Sequence, residues 1–241
     1  MGLVFALSDL RGGILLAEAS HSAMKSTLVF SLALIGSVVV LYLGVSRNTH
    51  KDRASGCRSN LKAWCLGIAQ YRKDFDAKYP PIEGSPHASG LAWKDTGFGG
   101  RTKLHGEGHG WAEAVYPYVG GLSLYRCPDG QEEKISFDSR RPQFTAYWFN
   151  ENLGKVRGNS VQHPQQTLML GDGADAPELG LRADARFHLH ALPPAWMADR
   201  NSPLFRHLGG ANYAFSDGYV RWLRPDQVKN FGGRPDPFSI R

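Results

Sequence analysis

The sequence predicts an α+β protein tied to a membrane by one helix, and three patterns predict it. Residues 27–45 run for 19 positions without a charge. A stripe of apolar residues at helical spacing follows at Cys57, Leu61, Trp64, Ile68, Tyr71 and Phe75. After residue 140 the pattern changes to short extended runs punctuated by Gly, Pro and Asp. A helix followed by mostly antiparallel strands is the α+β arrangement.

Composition sets the bounds. The chain has 241 residues, 42% hydrophobic and 21% charged, which excludes wholesale disorder. Its 28 Gly and 14 Pro imply many loops, and three Cys are too few for a disulfide scaffold. The net charge of +6 permits nucleic acid or anionic lipid as a partner, so the location of the charge decides.

The apolar run reads TLVFSLALIGSVVVLYLGV. As a helix it is about 28 Å long, close to one hydrocarbon core. Twelve of its residues are Leu, Ile, Val or Phe; together they favour insertion by about 4 to 7 kcal/mol. A buried core helix is rarely apolar all round for this length. A cleaved signal would have a shorter apolar region and an Ala-x-Ala site, and the run ends instead at Ser46 and Arg47. The run is therefore read as an uncleaved anchor over 24–46. Residues 1–23 contain Asp9, Arg11, Glu18 and His21 and read as an N-terminal extension, or as an over-extended start with Met24 the true one. Positive charge is denser after the run (Arg47, Lys51, Arg53, Arg58, Lys62) than before it (Arg11, Lys25). On that count alone the C-terminal side would be cytoplasmic.

The stripe steps by 4, 3, 4, 3 and 4 residues, so the helix continues past the anchor. It is expected over 47–79, ended by Pro80 and Pro81. The opposite face carries Arg58, Lys62, Arg72 and Lys73, read as a solvated face rather than a nucleic-acid surface. Residues 82–110 read as loop and 111–119 as a short helix broken near Pro117. The run LSLYRCPDG reads as extended and closed by a turn at Pro128, Asp129 and Gly130. Strands are expected at 145–150, 167–170 and 186–190. A hairpin is expected from 212–216 and 219–223, joined by the two-residue type I′ loop Asp217-Gly218.

These residues together resemble bacterial prepilin-like proteins of the type II secretion pseudopilin kind. The helix carries the Cys-x-Ser-Asn-Leu-Lys motif as Cys57, Ser59, Asn60, Leu61 and Lys62, with the aromatic-Pro-Pro exit at Tyr79, Pro80 and Pro81. YRCPDG at 125–130 resembles the Cys-Pro turn, with Cys127 and Pro128. HPQQTLMLGDG at 163–173 resembles the His-Pro…Asp-Gly strand, ending in Asp172 and Gly173. RHLGGANYAFSDGYV at 206–220 is similar to the C-terminal H-X9-DG signature, with His207, Asp217 and Gly218. The order of the four motifs, from about residue 46 to 223, is that of the family.

The resemblance implies a pilin-like fold: a long N-terminal helix, half membrane-spanning and half amphipathic, on a mainly antiparallel head at 80–241. It implies insertion in the bacterial inner membrane with the N-terminus cytoplasmic and the domain at 47–241 periplasmic or extracellular. That opposes the charge count, and the family's orientation is preferred. The implied role is assembly, with membrane lipid and other pilin-like subunits or secretion-system components as partners, and no enzymatic activity. The family's Gly-Phe-Thr-Leu-x-Glu cleavage signal does not precede the apolar run. Gly13 and Glu18 have its internal spacing but lie eight residues early. Cys57 and Cys127 both fall in family motifs and are disulfide candidates if the domain lies outside the cytoplasm. The closed loop of about 70 residues would add up to about 4 kcal/mol. Cys65 reads as a small buried hydrophobe.

Candidate chemistry is sparse. His207, Asp172 and Asp217 could converge on a divalent metal. The preferred reading makes both Asp-Gly pairs turns and gives His207 a hydrogen bond that holds the hairpin. Calcium is implied by resemblance alone, because the family's major pseudopilins bind it in a loop. No loop dense in Asp, Asn and Glu offers its six to eight oxygens here. His105, Glu107 and His109 form HGEGH in a Gly-rich stretch, where the histidines share no helix face. His188 and His190 share one face of a strand. No nucleophile elbow or P-loop is present, and Ser46, Ser123 and Ser202 have no catalytic context. Two other readings remain: an anchored module binding glycan, peptide or DNA through its six Trp and nine Tyr, and a hydrolase using His105, His109, His188 or His207 with Asp172 or Asp217.

Overall fold

A four-and-three spacing of apolar residues builds one helix face, and that face needs something to lie on. In the computed structural model it lies on a five-stranded sheet. The structure describes residues 3–83, 110–130, 144–229, 231–233 and 236–241, with the backbone alone for 3–30, 47 and 48. The protein is α+β. Two compact units divide it, Met1–Thr49 and His50–Arg241. The long helix α1, Leu3–Asp74, contributes residues to both.

In the first unit, residues 31–45 are exposed on every side of the helix, among them Leu34, Ile35, Val38, Val40, Leu41 and Val45. By length and composition α1 is apolar enough to cross a membrane. In the second unit Cys57, Leu61, Trp64, Ile68 and Tyr71 are buried.

α1 ends at Asp74, five residues before the expected stop at Tyr79. Prolines 80 and 81 are not what ends it. Asp76 and Ala77 take left-handed conformations (φ 53° and 59°), and Ala77 N–H donates to Arg72 O at 2.8 Å. Phe75 therefore falls outside the helix, although it stacks on Tyr71 at 4.2 Å between ring centroids. α2 (Trp111–Val119) runs through Pro117 instead of breaking there. Pro117 lies in its last turns, so the lost N–H costs one bond near an end already capped by left-handed Gly120. The segment Leu122–Tyr125, expected as extended, is a 3-10 turn.

The strands are β1 (Tyr147–Asn150), β2 (Leu168–Asp172), β3 (His188–Leu189), β4 (Ala211–Phe215) and β5 (Val220–Leu223). Their order is β3-β1-β2-β4-β5. All pairs are antiparallel except β1–β3, so the sheet is mixed. Every residue of β1, β2 and β4 is buried, which requires cover on both faces. On one face Tyr147 reaches Cys57 of α1 and Phe149 stacks on Trp111 of α2. On the other, Trp148 stacks on Phe238 and Phe215 meets Phe231. The last segment of the chain thus closes the far side.

The β4–β5 hairpin is wider than a type I′ turn. Gly218 N–H donates to Phe215 O and Phe215 N–H to Tyr219 O, each at 2.9 Å. Gly218 alone is left-handed, at φ 88°, and Asp217 keeps a negative φ. This is a type I turn closed by a left-handed glycine, the common three-residue loop.

Candidate metal centre

Four elements each deliver one metal-ligating side chain to a single buried point. Cys57 comes from the stripe of α1. Cys127 comes from the loop after the 3-10 turn. Asp172 is the last residue of β2. His207 stands in the tight loop before β4, where His207 N–H donates to Gly210 O at 2.8 Å. Left-handed Leu208 (φ 57°) and Gly209 (φ 85°) make that loop possible. Relative exposures are 0%, 4%, 0% and 1% for Cys57, Cys127, Asp172 and His207. One ligand atom from each lies within 4.8 Å of every other.

The contacts are direct. Cys57 Sγ donates to Asp172 Oδ1 at 2.9 Å. His207 Nε2 is 3.2 Å from Asp172 Oδ2 and 3.4 Å from Cys127 Sγ. Tyr147 Oη donates to Cys57 Sγ at 3.6 Å, and Asn212 N–H donates to Asp172 Oδ2 at 2.9 Å. On the outer side of the imidazole, His207 Nδ1 is 3.5 Å from Asp129 Oδ2. Asp129 Oδ1 in turn faces His50 Nδ1 at 3.4 Å and Arg53 Nη1 at 3.5 Å.

Burial and charge set the protonation. Burial raises the Cys57 thiol well above its ordinary value, and the neighbouring Cys127 and Asp172 raise it further. Cys127 is lowered to about 6, first by the Cys57 thiol beside it, against the cost of burial, and then by His207 and Arg206. Cys57 has one proton to give, and Asp172 holds it at 2.9 Å, so Cys127 and Asp172 compete for it. Burial would keep His207 neutral, but Asp172 and Cys127 overcome it and lift His207 to about 10. Burial opposes the Asp172 carboxylate, yet His207, Arg206 and Cys57 hold its pKa below the usual value. Arg206 Nη2 donates to Gly173 O at 3.0 Å, next to that carboxylate.

The other sequence candidates are placed as follows. Asn60 Nδ2 donates to Arg126 O at 2.8 Å, and Leu61 is fully buried. Ser59 Oγ donates to Ser55 O of its own helix, and Lys62 is exposed. Pro128 packs beside Gly56, where a side chain would be crowded. Asp217 does not join the cluster: its Oδ1 accepts from Tyr219 N–H at 3.0 Å in the hairpin loop. The reading of Asp172-Gly173 as a turn is corrected. Asp172 pairs with Tyr147 inside the sheet, and Gly173 N–H donates to Ala146 O at 2.8 Å. His207 braces the hairpin through its backbone, accepting from Trp222 Nε1 at 2.7 Å, while its ring joins the cluster.

The Cys57–Cys127 disulfide is not formed, and all three cysteines are free. Each of the two sulfurs has taken a polar partner instead, Asp172 and His207. Cys65 is buried away from the cluster, with its pKa pushed up to about 12 mainly by burial. Calcium does not fit the cluster, because two of the four donors are sulfur and calcium takes oxygens. His188 Nδ1 is held 2.6 Å from Arg186 O, and exposed His190 is 3.5 Å from Glu151. Among the described residues, the hydrolase set therefore does not converge beyond His207 with Asp172. His105, Glu107 and His109 lie outside the described residues, and for Gly13 and Glu18 only the helical backbone is described. Asp129 and Tyr147 escaped the sequence reading. For Asp129 the signal was its place two residues after Cys127; Tyr147 offered none beyond its strand.

The arrangement can bind a soft or borderline cation, or hold a buried ion pair, with all four side chains buried. No protein family, curated protein or solved structure matches this chain.

Proposed function

We propose that this protein is a membrane-anchored structural subunit of the pseudopilin kind. Residues 27–45 lie in the bilayer or in a filament core, and the domain from about residue 47 onward lies on the far side of the membrane. One observation carries the reading: residues 31–45 expose apolar side chains on all faces of a helix. Fifteen consecutive exposed positions with no charge are unstable in water and need lipid or other apolar helices around them. The order of motifs along the chain supports the pseudopilin version of that need. The aromatic side chains lend less to a binding module, since Trp64, Trp111, Trp148 and Trp196 are all buried.

Two measurements test it. A photo-crosslinking amino acid at Val38, activated in intact membranes, is expected to give a ladder of covalently joined copies. Monomers alone, or adducts with lipid alone, would replace the assembly subunit with a stand-alone anchored module. A phosphatase that folds only outside the cytoplasm, fused after Arg241, is expected to be active. An inactive fusion would restore the orientation given by the charge count.

A further inference from the structure

We propose that Cys57, Cys127, Asp172 and His207 bind one Zn²⁺ ion as a closed structural site, with Asp129 orienting the histidine from behind. The proposal stands apart from the membrane role and rests on the head alone.

The donor set comes first. Two sulfurs, an imidazole nitrogen and a carboxylate oxygen are the ligands of tetrahedral zinc. Zinc ligands at 2.0–2.3 Å from the ion stand about 3.3 to 3.8 Å from one another. The cluster's atoms already lie within 4.8 Å, with contacts of 2.9, 3.2 and 3.4 Å. Loading the ion therefore needs the widest pairs of ligand atoms to close by about 1 Å, a side-chain adjustment.

The surroundings are those of a metal ligand set. A ligating histidine turns its other ring nitrogen toward a carboxylate, which fixes tautomer and orientation. His207 does this: Nε2 faces the cluster and Nδ1 faces Asp129 Oδ2. Both Nδ1 and Oδ2 are buried, and among the described residues neither has a hydrogen-bond partner, so the 3.5 Å approach is their nearest polar pairing. Asn212 N–H fixes the carboxylate of Asp172, and Tyr147 Oη supports the sulfur of Cys57. The charges also close. Zn²⁺ with two thiolates, one carboxylate and a neutral imidazole carries a net −1, and Arg206, anchored beside Asp172 on Gly173 O, supplies +1. Binding takes both cysteines as thiolates and the imidazole with Nε2 free of its proton, and the protons displaced go to solvent.

A disulfide explains less. It would use two of the four side chains and remove the Cys57 proton that satisfies Asp172 Oδ1. It would leave Asp172 and His207 as a buried ion pair at 3.2 Å, and it gives no role to the convergence of all four side chains on one point. The site is structural because all four positions are filled by protein and closed to solvent.

The full-length protein, purified in detergent micelles under reductant, is the material for the test. Elemental analysis is expected to find one zinc per chain. Replacement by Co²⁺ is expected to give tetrahedral visible bands and thiolate-to-cobalt charge-transfer absorption. Cys127→Ser and His207→Ala should lose the metal, and Cys65→Ser should keep it. Should the ligand variants fail to fold, Asp129→Asn retains all four ligands and should weaken zinc affinity roughly 10- to 100-fold. Three results would overturn the proposal. One is a metal-free wild-type protein. Another is a Cys57–Cys127 disulfide in protein taken directly from membranes with free thiols blocked. The third is zinc content unchanged in both Cys127→Ser and His207→Ala.

Discussion

Leu61 and Tyr71 sit on the same face of α1 and respond to different insults. Leu61 is fully enclosed. Leu61→Asp would bury a charge in the apolar core, a mechanism that exceeds the usual range of single substitutions. The expected outcome is release of the helix from the head, seen as fast proteolysis after the segment that now resists it; an unchanged digestion pattern would refute this packing. Tyr71 loses its ionised form on burial, which lifts its pKa to about 12 from 10.0. Its stabilising effect is whole below pH 10 and fades as pH climbs toward 12, because only the unfolded chain ionises it in that window. Tyr71→Phe should flatten the alkaline loss of stability there, measured by denaturant unfolding at several pH values. The candidate site was legible residue by residue and not as a site. Cys57, Cys127, Asp172 and His207 each stood out within a motif. Their separations of 70, 45 and 35 residues match no ligand spacing, so only the fold could bring them together.

Elements were legible where local chemistry decides them. The 4-3 stripe gave α1 its buried face, and Asp-Gly marked the β4–β5 reversal. The turn type was not legible, because Asp217 spends its side chain on Tyr219 N–H and stays at negative φ. The helix end was missed for a similar reason: two ordinary residues, Asp76 and Ala77, adopt the left-handed conformation that glycine favours. These two places make a matched pair of predictions. Gly218→Ala forces a side chain into φ 88° and should cost about 1 kcal/mol. For a domain of this size that lowers Tm by about 2 to 4 °C. Ala77→Gly relieves φ 59° and should raise Tm by up to a similar amount. Thermal unfolding of the two variants beside the wild type checks both signs.

For the whole molecule, the α+β class followed from the change of period along the chain, since periodicity is set by each strand and helix on its own. The mixed sheet did not follow. β3 is two residues long and joins β1 in parallel, a pairing fixed by the long connection before it and by no pattern within it. The full burial of β1, β2 and β4 was also hidden, because the residues that cover their second face come from the last segment of the chain.

The second half of α1, its stripe included, finds its partners far away along the chain. Trp64 bonds to Leu124 at a separation of 60 residues, Cys57 to Asp172 at 115, Asn212 to Ala54 at 158 and Arg58 to Val220 at 162. During synthesis the helix face is therefore made long before its cover. At 5–20 residues per second, roughly ten to thirty seconds separate the emergence of Cys57 from that of Val220. Through that interval an apolar strip with two unprotected thiols stands open to chaperones, to oxidants and to other nascent copies. The protein's hazard is thus one of timing, and it ends only when the β4–β5 hairpin has left the ribosome.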